Sequence, residues 1–450
     1  MSKVLFRDVD VIATMDVRGR ELRDAWLLVE GSCVAALGGG APPEGPFDEV
    51  VDGRGRVMTP GLVNTHHHLY QTLFRAVPGA QDVELFDWLV FLYERWRGIH
   101  EEAVYVSSAV GCMELLLSGC TTTTDHLYLF PRGRANLFDA EVEAAAEVGI
   151  RFHPTRGSMS LSRQEGGLPP EDLVQSHEEI LADSQRLVER FHDGGFGAMV
   201  RVALAPCSPF SVTPELMRDT AALARDLGAL LHTHLAETKD EEDFCVERFG
   251  KRPVDYLEEL GWLAPDVWLA HLVHIGEEDI RRLAAADVGM AHCPSSNMLL
   301  GSGIAPTAAC VEAGMRVGLA VDGSASNDTS NMIREARQAM LLARVQGGAQ
   351  AMSARRALRL ATFGGARVLR REEELGSLEP GKCADLVLWD TTALEFAGAA
   401  DPLAGLVHCA AQYADLVMVN GVARVREGRP VSAELEKYIA RHRALAAQLT

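Results

Sequence analysis

His66 and His68 lie in the run Pro60-Gly61-Leu62-Val63-Asn64-Thr65-His66-His67-His68, where a short apolar stretch ends in histidines. If that run is a β-strand, alternate side chains share a face, so His66 and His68 point one way and His67 the other. Two imidazoles on one face at a strand end form a clamp for a metal ion. Further along the chain, His234 ends Leu231-His232-Thr233-His234, His271 ends Trp268-Leu269-Ala270-His271, and Asp322 ends Leu319-Ala320-Val321-Asp322. Three neutral imidazoles and a carboxylate suit zinc, with ferrous iron as the alternative. Three protein ligands leave room for water, and Asp322 as a weak fourth can also serve that water as base. His271 can hydrogen-bond the water or polarise the attacked group. Glu237, three residues beyond His234, can act as a general acid toward a ring nitrogen and a leaving group. Its bland alternative is a first-turn acid at a helix start. A lone strand-end histidine is more often structural; the ordered set of His, Glu, His and Asp is what argues for a site. By the same parity His232 supports His234 from one layer deeper. His126, His274 and His292 stay unassigned.

These residues need elements that bring them together. Strand ends are predicted near His68, Asp125, Arg156, Cys207, His234, His271, Cys293 and Asp322, with helical stretches between, such as Glu141–Val148, Pro214–Leu227, Glu277–Ala286 and Thr307–Ala313. Eight βα units in about 300 residues predict an α/β fold, a closed (β/α)8 TIM barrel, whose chemistry sits at the carboxyl ends of its strands. Residues 3–57 read as short strands (Lys3–Ala13, Ala25–Leu37, Glu49–Met58), and the same texture returns at Ala384–Trp389 and Ala414–Val419 before the turn Asn420-Gly421. Both chain ends are therefore expected to form a small β-sandwich domain, 1–57 with 375–450, around a catalytic barrel of 58–374.

Bulk properties narrow the function. Hydrophobic residues make up 47% and charged residues 24%, which are globular values. A net charge of −20 argues against a nucleic-acid or anionic-membrane partner and for a small neutral or cationic substrate. Nine scattered cysteines without a Cys-x-x-Cys pair suggest reduced, mostly buried thiols and a cytoplasmic setting. The stretch MSKVLFRDVDVIATMD carries charges where a signal peptide needs apolar residues, and no apolar run reaches the ~18 residues of a membrane span.

Asn64-Thr65-His66-His67-His68, His234-Leu235-Ala236-Glu237, Ala270-His271 and Val321-Asp322-Gly323 together resemble the amidohydrolase superfamily, in its mononuclear aminohydrolase branch. The resemblance runs over nearly the whole chain. It implies His66, His68, His234 and Asp322 as metal ligands, Glu237 and His271 as catalytic residues alongside Asp322, and hydrolytic release of ammonia from an amino-bearing ring carbon. Two-metal barrels of this kind bridge their ions with a carboxylated lysine on strand 3 or 4. The five lysines here, Lys3, Lys239, Lys251, Lys382 and Lys437, all lie elsewhere, which favours one zinc, or ferrous iron, per chain. Related barrels often form homodimers. Within the branch, Arg156–Leu161, Ala205–Pro214 and His292–Met298 are similar to 8-oxoguanine deaminases, whereas the loop after strand 1 departs, with Asp87 where proline is expected. The resemblance thus implies an amino-substituted purine-like substrate. Isoxanthopterin and guanine, or a single ring such as isocytosine, ammeline or a hydroxylated triazine, are the rivals. Gln71, Arg156, Cys207 and Trp88 are the expected substrate contacts: an amide that donates and accepts, two strand-end residues, and an indole that can stack on a flat ring. A cyclic-amide hydrolase and a catalytically dead scaffold are weaker readings, and a Pro-Cys-x-x-Cys zinc site of the nucleic-acid-editing type is absent.

Overall fold

The structure, a computed structural model, describes residues 2–409, 411–431 and 435–450. The chain opens with five strands: β1 (Lys3–Ala13), β2 (Glu21–Glu30), β3 (Cys33–Gly39), β4 (Glu49–Asp52) and β5 (Arg56–Pro60). The expected single strand over 25–37 is a hairpin, because Gly31, at φ +62°, turns the chain and pairs Glu30 with Cys33. The expected strand over 49–58 is likewise two.

The central region follows with β6 (Leu62–Asn64), β7 (His67–His68), β8 (Cys120–Leu127), β9 (Arg151–Ser158), β10 (Ala203–Pro206), β11 (Leu231–Leu235), β12 (Val267–His271), β13 (Gly289–His292), β14 (Arg316–Leu319) and β15 (Asp322–Gly323). Strands β6 and β8 to β14 lie side by side in chain order, and every pairing is parallel. Thr65 N donates to Leu319 O at 3.1 Å and Asp322 N to His66 O at 3.2 Å, and β7 pairs with β15, so first and last strands meet. The result is a (β/α)8 barrel. Its strands are buried on both faces, as in β8, Cys-Thr-Thr-Thr-Thr-Asp-His-Leu, which shows no inside–outside alternation in burial. Helices between strands obey local signals. Pro214–Leu227 forms as expected: Thr213 accepts from Leu216 N, Pro214 opens the first turn, and Gly228 at φ +69° ends it.

The chain returns through β16 (Leu386–Asp390), β17 (Leu416–Val419), β18 (Val422–Arg426) and β19 (Arg429–Pro430). β16 pairs antiparallel with β5, so the two chain ends make one nine-stranded sheet. That sheet forks at β1, which takes β4 along its first half and β5 along its second. It encloses its own core, with Phe6, Val9, Ile12, Leu27, Met58, Leu386, Leu388 and Met418 among its members. The buried Arg151, first residue of β9, joins this small domain to the barrel through Asp385 at 2.9 Å and 3.1 Å. The last helix, Leu435–Leu449, lies on the barrel helix Glu101–Leu117, where Arg441 pairs with Glu102 and His442 Nε2 meets Thr72 Oγ1 at 3.0 Å. Among the described residues no helix is long and apolar enough to cross a membrane.

Candidate metal centre and pocket

Four donor atoms from three places in the chain converge inside the barrel mouth. His66 Nε2 and His68 Nε2 lie 3.2 Å and 3.3 Å from Asp322 Oδ1, and His68 Nε2 lies 3.2 Å from His234 Nε2. An ion ~2.1 Å from each nitrogen and oxygen donor of a tetrahedral set holds those donors ~3.4 Å apart. These three spacings match. All four residues are buried, and His66 Nε2 has no hydrogen-bond partner. A buried polar atom without a partner costs free energy unless something else satisfies it. The donor set therefore fits one divalent ion of the zinc type.

The other ring nitrogens show how this geometry is held. His68 Nδ1 lies 2.8 Å from His126 O and His234 Nδ1 lies 2.6 Å from Cys207 O. A carbonyl can only accept, so both Nδ1 atoms carry hydrogen and both Nε2 atoms keep their lone pairs. His66 Nδ1 meets His232 Nε2 at 2.7 Å, and His232 Nδ1 in turn meets Trp268 O at 2.9 Å. The carbonyl sets the second ring, which sets the first. His232 is thus the support that its strand parity suggested. Replacing it with phenylalanine is expected to keep the fold and weaken metal affinity ~10–100-fold, measurable by competition with a chromogenic chelator. Burial lowers the pKa of His66 well below the usual value and that of His234 to about 3, so both stay in the neutral, ligating form. His68 differs: burial would lower it, but the Asp322 carboxylate holds it up. Burial would raise Asp322, yet the His66 and His68 imidazoles beside it hold it well below the carboxylate range.

Asn64 bridges the strands under this cluster, donating to Thr123 Oγ1 at 3.0 Å and accepting from Val321 N at 3.0 Å. His67 faces away, with Nε2 on Ser330 Oγ at 3.0 Å. His126 stands close, stacked on His234 at 4.8 Å, with Nε2 donating to Ala205 O at 2.9 Å. Its Nδ1, like that of His292, is buried without a partner.

Glu237 and His271 stand beside the donors. His271 Nε2 is 3.4 Å from Glu237 Oε2 and 3.9 Å from Asp322 Oδ2. Burial, with the Asp322 carboxylate beside it, raises the Glu237 pKa well above its usual value, which favours the protonated form. Burial lowers that of His271, whose Nδ1–H donates to Asn297 Oδ1 at 2.9 Å and leaves Nε2 as an acceptor. Three residues here adopt left-handed backbone: Ala236 at φ +53°, His271 at +73° and Asp322 at +61°. Such conformations cost ~1–3 kcal/mol each and persist where the surroundings over-determine them. Glu241 does this for Ala236: its carboxylate accepts from Ala236 N at 2.8 Å and Glu237 N at 2.9 Å. Sequence reading passed over Glu241 and Asn297. The His-Leu-Ala-Glu-Thr-Lys-Asp-Glu spacing was the available signal for Glu241, whereas nothing local marks Asn297.

The donors open onto a small cavity of about 30 Å³ lined by Gln71, Trp88, Cys207, Glu237 and His271, with Tyr128, Phe210, Leu300 and Ser326 not foreseen. Gln71 Oε1 accepts from Ala325 N at 3.2 Å, which orients the amide; Nε2 has only a long 3.5 Å contact with Tyr70. Cys207 is a neutral thiol, its pKa pushed up to about 12 by burial. Trp88 packs edge-on against Trp96 at 5.5 Å, with its Nε1 buried and unpartnered.

Arg156 does not line this cavity, contrary to the expectation. On β9 it alternates with His153 and Thr155, and His153 is on the inner side, 5.9 Å from Trp268. Arg156 therefore faces the helix layer, bonding Asp183 at 3.1 Å and Gln175 at 2.8 Å over the ring of Phe130. Arg156→Ala is expected to cost ~1–3 kcal/mol in chemical denaturation, because it takes the guanidinium from Gln175 and Asp183, while Arg186 still pairs with Asp183 at 2.8 Å. KM should stay unchanged, which a pocket role would not allow.

The amidohydrolase family model matches residues 57–424. This chain belongs to that family. The 8-oxoguanine deaminase of Pseudomonas aeruginosa is 51% identical to this amidohydrolase over 438 residues, covering 97% of each chain. The hydroxydechloroatrazine ethylaminohydrolase of Pseudomonas sp. strain ADP is 39% identical, covering 89% of this chain and 85% of its own. Among solved structures, an atrazine chlorohydrolase from Arthrobacter aurescens TC1 complexed with zinc superposes with a TM-score of 0.94 at 35% identity, covering 98% and 100% of the two chains. The protein is a metal-dependent hydrolase of the deaminase type, acting on C–N bonds of a small molecule with water.

Proposed function

We propose that this amidohydrolase is a zinc-dependent deaminase that releases ammonia from an amino-substituted purine-like ring, with 8-oxoguanine as substrate. His66, His68, His234 and Asp322 hold one ion, and ferrous iron is the alternative occupant. When bound, the ion supplies a Lewis acid that lowers the pKa of water from ~15.7 toward ~7. Asp322 Oδ2 accepts a proton from the attacking water, next to His271 Nε2, which orients the water by hydrogen bonding. Glu237 gives its proton to the ring nitrogen beside the attacked carbon. The proton that Asp322 took from water passes to the amino group, and the hydroxyl proton of the adduct returns to Glu237 as the ring carbonyl forms, so water is consumed, Glu237 is restored and ammonia departs. The observation that carries this reading is the buried Glu237 carboxyl, 3.4 Å from His271 Nε2 and beside the four donors, since release of an amine needs a positioned acid. Gln71 Nε2, Cys207 and Trp88 are the pocket groups that read the ring. Residues 58–374 act as the catalytic unit and 1–57 with 375–450 as its companion.

The substrate follows the relative at 51% identity. A single-ring substrate is the second reading, favoured by the small cavity and the triazine-acting relatives. Ammonia release assayed over 8-oxoguanine, isoxanthopterin, guanine, isocytosine and ammeline separates them. The expected outcome is the highest kcat/KM on 8-oxoguanine; turnover confined to single rings would sink the main reading.

A further inference from the structure

Cys33 and Cys383 come from opposite ends of the chain and face each other across an antiparallel bridge in the small domain. Val34 N donates to Lys382 O at 2.9 Å, and Ala384 N donates to Ser32 O at 2.8 Å. Those two bonds flank the cysteines and make them a non-hydrogen-bonded pair, the antiparallel position where Cα atoms come closest, ~4.5 Å apart. Directly opposed residues also share a face of the sheet, with Cβ atoms ~4.5–5.5 Å apart. A disulfide asks for Cα atoms ~4.4–6.8 Å apart and Cβ atoms ~3.5–4.5 Å apart, which such a pair reaches with a small adjustment. Both side chains are free thiols here, Cys33 partly exposed and Cys383 buried. No other cysteine pair in the described residues is joined by a strand pairing.

We propose that Cys33 and Cys383 form a reversible cross-strand disulfide when the protein meets a small-molecule disulfide such as oxidised glutathione. Cys33 attacks first, because it alone of the two is open to solvent and because burial pushes the Cys383 thiol up to about 11. Its thiolate attacks one sulfur of the reagent, the reagent's S–S bond breaks, and one thiol leaves. Cys383, having given up its proton, attacks Cys33 Sγ and releases the second thiol. Two cysteine thiols are oxidised, and one reagent disulfide is reduced to two thiols.

The place of this link predicts its effect. Asp385, two residues beyond Cys383, receives Arg151 and the Asn420 amide, at 2.8 Å for the latter. Arg151 begins β9, so the link lies by the barrel floor, whereas the metal donors sit at the opposite strand ends. Cross-linking two sites 350 residues apart restrains about three-quarters of the unfolded chain. The oxidised form should therefore unfold at higher temperature with unchanged kcat and KM.

The test uses the full-length, metal-loaded protein incubated with oxidised glutathione, alkylated, and mapped as peptides without reductant. The expected result is a Cys33–Cys383 linked peptide pair with two of the nine thiols lost, reversal by dithiothreitol, and a raised Tm. Cys383→Ser should stop at one glutathione adduct on Cys33, and Cys33→Ser, at the more exposed position, should form neither link nor adduct. The proposal is overturned if wild type stops at a Cys33 adduct with Cys383 alkylated. Full alkylation of both, a link to a different cysteine, or a linked chain with unchanged Tm would overturn it equally.

Discussion

Glu237→Gln is expected to lower kcat ~10²–10⁴-fold, the usual worth of one positioned proton transfer. The change keeps shape and removes the acid. Glu237 is not among the four donors, His66, His68, His234 and Asp322, so bound metal should stay at wild-type stoichiometry. The fold should stay as well, since burial already favours the neutral carboxyl and an amide is its isostere. Glu237 Oε1 has no partner in the protein, and Oε2 has only the 3.4 Å approach to His271 Nε2, which an amide can keep. Steady-state kinetics with metal analysis on the same sample checks this. A variant within threefold of wild type would remove Glu237 from the chemistry.

Removal of the ion has the other large effect. Dialysis against 1,10-phenanthroline should bring ammonia release to background, and added zinc should restore it. His68→Ala should stay inactive at the zinc concentration that restores wild type, because it deletes the nitrogen that lies within 3.3 Å of both Asp322 Oδ1 and His234 Nε2. Stability should follow the same linkage. Zinc at 100 times its Kd adds about 2.7 kcal/mol to the wild-type fold, read as a rise in Tm, with a smaller rise for the variant. Equal shifts for both proteins would place the ion elsewhere.

Much of the arrangement was legible in the residues. The parity of His66, His67 and His68 came through although hydrogen bonding breaks the strand at Thr65, since extended backbone alternates its side chains with or without a ladder partner. The helix 214–227 was readable to the residue because a Thr cap, a Pro and a stopping Gly are all local signals. Arg156 was misread for the opposite reason. A strand end announces itself, but which of two neighbouring residues faces the axis depends on how that strand is rotated in the barrel. Glu241 and Asn297 escaped because each acts on a backbone or ring placed by another segment.

Residue order alone carries the kinds of donor, their alternation and their position at strand ends, since each depends on neighbours within a few bonds. Closure of the barrel is what brings Asp322 beside His66 and His68, turns Ala236, His271 and Asp322 into left-handed backbone, and buries Glu237 so that its pKa rises well above the usual value. Those outcomes depend on distances between segments far apart in the chain and on the exclusion of water, and neither exists until the strands have closed.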